Sequence, residues 1–425
     1  MKHKRIYPQL LKMIENNESD NFHKEKDLRV MISFEDTTKR DKFLSNHPDL
    51  KFLKKFDIIP SINLHLTLDQ IKSLENEELI KIIEEDQKLH LSILEVNEIL
   101  DLSDYRTSQI SYSGKNIKIG IIDNGINKIY DSISDIDVKK FNYESNTRNL
   151  IAKKTEISHG TIMACIIGNQ YRDKDYNYIG IAPNAKFIDF NIPVSNNEYY
   201  FSHILEIFDS INLKFIEIDI LFIPFTTSNP SDGNDLLSQA CNLLVDKGII
   251  IVCPVGNFGP KAYTVGSPSA AQKVITIGSL TKNLTVSNFS SRGPTLDERL
   301  KPDFCLPGSK IKIPLSNELN VRVSGTSVSA AFCVGIIALI KEFNPNASYS
   351  DVFDIMKQVC IDLNYQKYSQ GHGLINIVNI FKKLDLYQEK IIPYNYLLKR
   401  SFKITIEFML ILILFYYLVY FFTSL

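Results

Sequence analysis

The stretch Ser324-Gly325-Thr326-Ser327-Val328-Ser329-Ala330-Ala331 crowds small residues around a hydroxyl and runs at once into an apolar segment, residues 333–340. That is the pattern of a helix N-terminus with a serine on its first turn. The first N–H groups of a helix have no intrahelical partner and carry the positive end of the dipole, so an oxyanion is stabilised there. Gly325 and the small neighbours let another backbone come close. The same pattern also describes an ordinary Ser or Thr N-cap before an amphipathic helix, the commoner use of these residues. Ser327 alone leaves both readings open, and the rest of the chain decides between them.

A hydroxyl is a weak nucleophile unless a base lies within hydrogen-bond reach and a third group orients that base. Ile117-Lys118-Ile119-Gly120-Ile121-Ile122-Asp123-Asn124-Gly125 reads as a buried strand ending on a carboxylate and a turn pair. This sets Asp123 at a strand's carboxyl edge, where α/β proteins place their chemistry. An Asx turn closing the strand is the other use of such an Asp. Ser158-His159-Gly160-Thr161 leads into the apolar run 162–168, and of eight histidines only His159, followed by Gly-Thr, opens such a helix. A packed or capping imidazole is the alternative there. Finally, Ile249-Ile250-Ile251-Val252-Cys253-Pro254-Val255-Gly256-Asn257 is a buried β run ending on an amide. Asn257 is suited to donate to the charge that develops on a substrate carbonyl, with a turn Asn beside Gly as the alternative.

Four signals in the order Asp, His, Asn, Ser resemble the subtilisin-like serine proteases, whose triad follows that chain order. Gly180-Ile181-Ala182-Pro183-Asn184-Ala185, Phe289-Ser290-Ser291-Arg292-Gly293-Pro294, Lys301-Pro302-Asp303 with Pro307-Gly308, and Gly371-His372-Gly373-Leu374-Ile375-Asn376 also fit the family's pattern. The resemblance implies an α/β fold, a three-layer α/β/α catalytic domain with a mostly parallel sheet, and a serine endopeptidase working through an acyl-enzyme. It further implies that Asp123 orients the base, His159 is general base and then acid, Ser327 is the nucleophile, and Asn257 lines the oxyanion hole. Ala331 stands where the family usually has Pro, Ile162 where a second His is usual, and Cys165 where Gly is usual; none removes a proton-transfer group. Asp219-Ile220-Leu221-Phe222-Ile223-Pro224-Phe225-Thr226 matches the strand that in the family pairs with the substrate backbone. Pro224 lacks an N–H and Thr226 adds a side chain where Gly leaves space, so Pro224, Phe225, Thr226 and Gly256 are expected to form altered substrate subsites.

Ahead of this region, residues 28–34 alternate like a half-buried strand, 38–44 suit a short helix, and 51–56 and 61–67 read as two more strands. A second helix over 68–74 and a strand over 79–84 complete a βαββαβ order, the ferredoxin-like arrangement. It resembles the inhibitory propeptide that precedes many subtilisin-like domains, with Glu84-Glu85-Asp86 near its end. An unrelated small α+β domain is the alternative, because this superfold serves many functions. The propeptide resemblance implies a zymogen whose own Ser327 cuts the junction somewhere between residues 87 and 96, leaving the propeptide as an intramolecular inhibitor. The expected boundaries are an N-terminal extension over 1–27, the propeptide-like domain over 28–90, the peptidase domain over 91–385, a linker over 386–403 and a transmembrane helix over 404–425.

That last element rests on residues 408–425, 18 residues without a charge and rich in Leu, Ile, Phe and Tyr, extended past Glu407 by 404–406. A span needs about 20 apolar residues, which makes this a transmembrane candidate, with a buried core helix as the alternative. Lys399, Arg400 and Lys403 lie on its N-terminal side and no basic residue lies beyond. The positive-inside rule then puts the catalytic domain in the cytosol. Residues 1–8 have a basic start but no apolar h-region, so no signal peptide is expected. The six cysteines sit mostly inside apolar segments without Cys-x-x-Cys spacing, as buried small hydrophobes in a reducing compartment. With 48 basic and 49 acidic residues the formal net charge is −1, which gives no electrostatic reason to expect nucleic acid. No acidic loop has calcium-ligand spacing, so no cofactor or metal is expected. The expected partners are a polypeptide substrate, the chain's own propeptide and a membrane. A catalytically silent peptide-binding or scaffold protein, favoured by Pro224 and Ala331, and an esterase using the same triad are the alternatives.

Overall fold

The Ile-rich run ending on Asp123 forms a strand buried nearly end to end, as a continuous apolar segment does inside a parallel sheet. Around it the computed structural model describes residues 5–18, 27–91, 94–95, 100–101, 112–141, 157–171, 180–192, 199–213, 216–316, 319–380 and 382. The expected linker over 386–403 and transmembrane helix over 404–425 lie outside the described residues.

The N-terminal part contains α1 (Pro8–Glu18), β1 (Leu28–Ser33), α2 (Thr37–Asn46), β2 (Phe52–Phe56), β3 (Ser61–Leu66), α3 (Leu68–Leu74) and β4 (Ile82–Glu85). Its strands form an antiparallel sheet in the order β2-β3-β1-β4, with Ile32 opposite both Ile62 and Ile83. The period of two sorts β1: Val30 and Ile32 face a cluster with Leu10, Phe43, Leu64 and Ile71, while Met31 turns to the opposite face. Asp36 caps α2 by accepting from Lys39 N–H, and Thr67 and Gln70 form a capping box on α3. The last strand begins at Ile82, later than the sequence suggests, because Ile80 N–H closes a turn on Glu77 O. Part of the N-terminal extension joins this sheet: Ile6 bridges Ile83, and Tyr7 N–H donates to Ile83 O at 2.8 Å.

The chain continues through β5 (Lys88–Leu91), β6 (Leu94–Glu95) and β7 (Leu100–Asp101) to β8 (Lys118–Asp123), β9 (Asp137–Lys140), α4 (His159–Gly168), β10 (Lys186–Asn191) and β11 (Tyr199–Tyr200). Then come α5 (Phe201–Leu213), β12 (Ile220–Phe222), β13 (Phe225–Thr226), α6 (Leu236–Asp246), β14 (Ile250–Pro254), β15 (Ile275–Leu280), β16 (Phe304–Pro307), β17 (Ile311–Pro314) and β18 (Asn320–Ser324). The remaining elements are α7 (Thr326–Phe343), α8 (Tyr349–Gln358), β19 (Cys360–Ile361), α9 (Lys367–Gln370) and β20 (Leu374–Ile375).

A nine-stranded sheet in the order β19-β20-β16-β15-β14-β12-β8-β10-β9 is parallel at every pairing except β19 with β20. Ile122, Ile188, Phe190, Leu221, Ile251 and Cys253 face one side, where they cluster with residues of α5 and α6. The alternate residues, Asp123 among them, turn to the other side, where α4 and α7 pack. The result is an α/β/α sandwich around a mostly parallel sheet. Among the described residues α7 is the one helix long and apolar enough to cross a membrane, and residues 326–341 of it are buried against the sheet as a core helix. All six cysteines are free, and burial pushes thiols such as Cys165 up to about 12. Residues through Asn376 form one compact unit, and Ile377 begins a second.

Candidate active site

Asp123 ends β8, and Asn257 stands three residues past the end of β14, so both lie at the carboxyl edge of the central sheet. His159 is the first residue of α4 and Ser327 the second of α7, and these helices pack against each other. His159 Nδ1 lies 2.6 Å from Asp123 Oδ2, and Nε2 lies 3.1 Å from Ser327 Oγ. All three side chains are buried. A carboxylate at Nδ1 holds the ring proton on that nitrogen and turns the Nε2 lone pair toward the serine hydroxyl, which donates to it.

Local sequence fixes this ring. Ser158 caps α4 by accepting from Thr161 N–H, while its hydroxyl donates to Gly125 O at 2.6 Å. Asn124 Oδ1 accepts from Gly160 N–H at 3.0 Å, and Asn127 N–H donates to Thr161 Oγ1 at 2.8 Å. A Cβ on Gly160 would stand 2.7 Å from Gly125 O, so the helix start approaches the loop after β8 more closely than any side chain allows. Beneath that loop, Asp189 Oδ2 accepts from Ile126 N–H at 3.0 Å.

The amide of Asn257 has its orientation set from α7. Thr326 N–H and Thr326 Oγ1–H donate to Asn257 Oδ1 at 3.0 and 2.9 Å, which directs the Nδ2 donor end away from them. Ser327 shares the first turn of α7, at the positive end of the helix dipole, where Val328 N–H turns back on Gly325 O at 3.2 Å. Gly256 precedes the amide at φ +107°, in the left-handed region, and a Cβ there would meet Ser291 Oγ at 2.8 Å and Thr226 Cγ2 at 3.1 Å.

The chain's own residues 88–91 lie beside this cluster. β5 is the middle strand of a three-stranded sheet, antiparallel to both neighbours: Leu89 pairs with Tyr199 of β11, and His90 and Leu91 pair with Thr226 and Phe225 of β13. The strand over 219–226 breaks at Ile223-Pro224, and pairing resumes at Phe225. Leu89 is buried in a cluster with Tyr199 and Phe225, whose ring centroids are 4.7 Å apart, and the His90 imidazole meets the Phe258 ring edge-on. Beyond residues 92–93, which lie outside the described residues, β6 pairs with β18, opposing Leu94 to Ser324.

Carboxylates ahead of β5 meet the starts of two helices. Leu236 N–H donates to Glu84 Oε1 at 2.9 Å at the first residue of α6. Asp86 accepts from Ser202 N–H and Ser202 Oγ at the start of α5, and from Arg29 Nε at 2.7 Å. The Asp86 carboxylate complements the dipole of α5. Burial, then the neighbouring Asp235, holds the Glu84 carboxyl well above the usual carboxylate range.

Asp123, His159, Ser327 and Asn257 thus come together, and Phe225, Thr226 and Gly256 line the strand beside them, with Pro224 at its entry. The sequence did not single out Thr326, Asn124, Ser158 or Asp189. Asp189 carried one signal, an acid inside the apolar strand 186–191. Among the described residues no group of three His, Cys, Asp or Glu side chains could hold a metal ion.

A model of the subtilase family matches residues 114–373. The serine protease AprX of Bacillus subtilis (strain 168) is 25% identical over 376 residues, covering 78% of this chain and 82% of that protein. Fervidolysin from Fervidobacterium pennivorans, a keratinolytic enzyme, superposes with a TM-score of 0.64 at 16% identity over 84% of this chain; the match spans 61% of fervidolysin, less than two thirds. The epidermin leader peptide processing serine protease EpiP from Staphylococcus aureus superposes with a TM-score of 0.62 at 18% identity, covering 84% of this chain and 98% of EpiP.

Proposed function

The chain belongs to the subtilase family of serine proteases, and from that premise we propose that it is an endopeptidase made as a self-cleaving zymogen and anchored in a membrane. The observation that carries the proposal is the single imidazole of His159 bridging Asp123 Oδ2 and Ser327 Oγ. In this mechanism Ser327 Oγ attacks the peptide carbonyl carbon as its proton passes to His159 Nε2. The carbonyl oxygen takes the negative charge and is met by the Asn257 Nδ2 donor and the N-terminal turn of α7. Collapse breaks the C–N bond, and the amine leaves with the proton from His159. The acyl-enzyme is then hydrolysed by a water that His159 deprotonates, which restores the serine. Asp123 keeps the ring in the useful tautomer and balances the imidazolium.

The first substrate is the chain itself. Residues 88–91 run as a strand between β11 and β13, and β6 is paired beside the start of α7, which supports a cut between residues 91 and 94. After the cut, residues up to 91 stay in the groove as inhibitor. The uncharged run 408–425, with three basic residues ahead of it, supports an anchor that leaves the catalytic part on the cytosolic side. Expression of the full chain and of Ser327→Ala tests the whole reading. The wild type is expected to yield a species whose N-terminus lies at residue 92, 93 or 94, while Ser327→Ala stays uncut. Both are expected to remain with membranes through alkaline carbonate. An uncut wild type sinks the zymogen, and release by carbonate sinks the anchor.

A further inference from the structure

We propose that Asp189 is a positioning residue for the triad, holding the loop that sets Asp123 and His159 in register; this rests on the serine-protease reading above. Asp189 lies on β10, whose residues pair with β8 so that Asp189 stands opposite Ile121, and Asn191 opposite Asp123. The pleat therefore puts Asp189 on the same face of the sheet as the catalytic carboxylate. Asp189 is 2% exposed. Its Oδ2 accepts from Ile126 N–H at 3.0 Å, and its Oδ1 has no hydrogen-bond partner among the described residues. A strand buried in an apolar sandwich gains nothing from a half-satisfied carboxyl, because burial without full hydrogen bonding is costly.

The gain lies in what Ile126 belongs to. The loop 124–127 is fastened to β8 through Asn124 N–H on Asp123 Oδ1 at 2.7 Å. It is fastened to the start of α4 through Asn124 Oδ1 to Gly160, Gly125 O to Ser158, and Asn127 N–H to Thr161. It therefore ties the triad's carboxylate to the helix that carries its imidazole. Asp189 pins the middle of that loop from below, touching neither substrate nor reacting atoms.

The charged groups facing Asp189 are Lys140 on β9, which favours its ionised form, and Asp123 on β8, which opposes it. Burial dominates and pushes the carboxyl up to about 6. Above that pH an ionised acceptor grips Ile126 N–H; below it the bond loses its charge assistance. The acid side of the activity profile should therefore carry a second proton beyond the one taken by the general base.

Steady-state kinetics of the self-cleaved protein, freed of its N-terminal part, on a fluorogenic peptide from pH 4.5 to 9, with fluorophosphonate inactivation rates alongside, test the assignment. Asp189→Ala is expected to lower kcat roughly 10–100-fold with KM nearly unchanged, as a small misplacement of reacting groups does. Asp189→Asn, which keeps an acceptor for Ile126, is expected to recover most of that loss. It is also expected to change the acid limb of kcat/KM from a two-proton to a one-proton fall. A wild-type kcat in Asp189→Ala overturns the proposal, as does an acid limb in Asp189→Asn that still takes up two protons. Should Asp189→Ala fail to fold, the Asp189→Asn profile decides alone. A wild type that stays inert to both peptide and probe once its N-terminal part is removed takes away the serine-protease reading itself, whereas an active wild type with indifferent Asp189 variants removes only this inference.

Discussion

A catalytic amide does its work only if its donor end points at the developing charge. In the proposed mechanism Asn257 has that part, and Thr326 orients it by occupying Asn257 Oδ1 with two donors from α7. Asn257→Ala is expected to lower kcat by about 10²–10³ while KM moves little, because the contact forms in the transition state. A parallel fall in substrate affinity, seen in the same kinetics, would assign Asn257 to ground-state binding instead. That Asp123, His159, Asn257 and Ser327 would meet was legible in the sequence because each is a particular chemical type at the edge of an apolar run: Asp123 and Asn257 end one, and His159 and Ser327 open one. Thr326, Ser158 and Asn124 were not, since a short polar residue beside a helix start has many local uses. Only the meeting of separate segments tells which hydrogen bond each makes.

At the scale of elements, β5 and the residues just before it join the N-terminal sheet to the catalytic groove. The period-two and helical patterns gave the order of strands and helices over 28–86, and their ends shifted where a turn claimed the residue, as at Ile80. The antiparallel pairing of His90 and Leu91 with β13 lay beyond reach, because strand partners distant in sequence leave no local mark. Glu84 and Asp86, which the sequence placed only near the end of the propeptide-like domain, sit buried on the first turns of α6 and α5. Glu84 makes this seam pH-dependent. In the docked state its carboxyl is held well above the ordinary carboxylate value by burial, then by Asp235, with Asp86 and Asp232 adding to the effect. Docking thus takes up a proton, so it is strongest in acid and weakens as pH rises through the docked value. Self-cleaved protein on a size-exclusion column is expected to retain its N-terminal part at pH 5 and lose it progressively toward pH 8. Glu84→Gln, which keeps an acceptor for Leu236, should flatten that dependence; equal retention across pH in the wild type would refute it.

For the molecule as a whole, the sandwich brings residues far apart in the chain to one edge of one sheet, and the N-terminal part folds within the same compact unit. Ser324 to Ala331 announced a helix that could carry a nucleophile, and the fold supplied the neighbours that make attack feasible. The uncharged run 408–425 speaks only through its sequence, as does the orientation inferred from the basic residues ahead of it. The central claim is that Ser327 is activated by His159 and Asp123. Fluorophosphonate labelling of protein cut between residues 91 and 94 and freed of its N-terminal part, by its own action in the wild type and by an added protease in the variants, read by peptide mass mapping, tests it most directly. One adduct per chain on Ser327, absent in Ser327→Ala and slowed by several orders of magnitude in His159→Ala, is the predicted result. An unlabelled wild type, or an adduct on any other residue, would contradict the account.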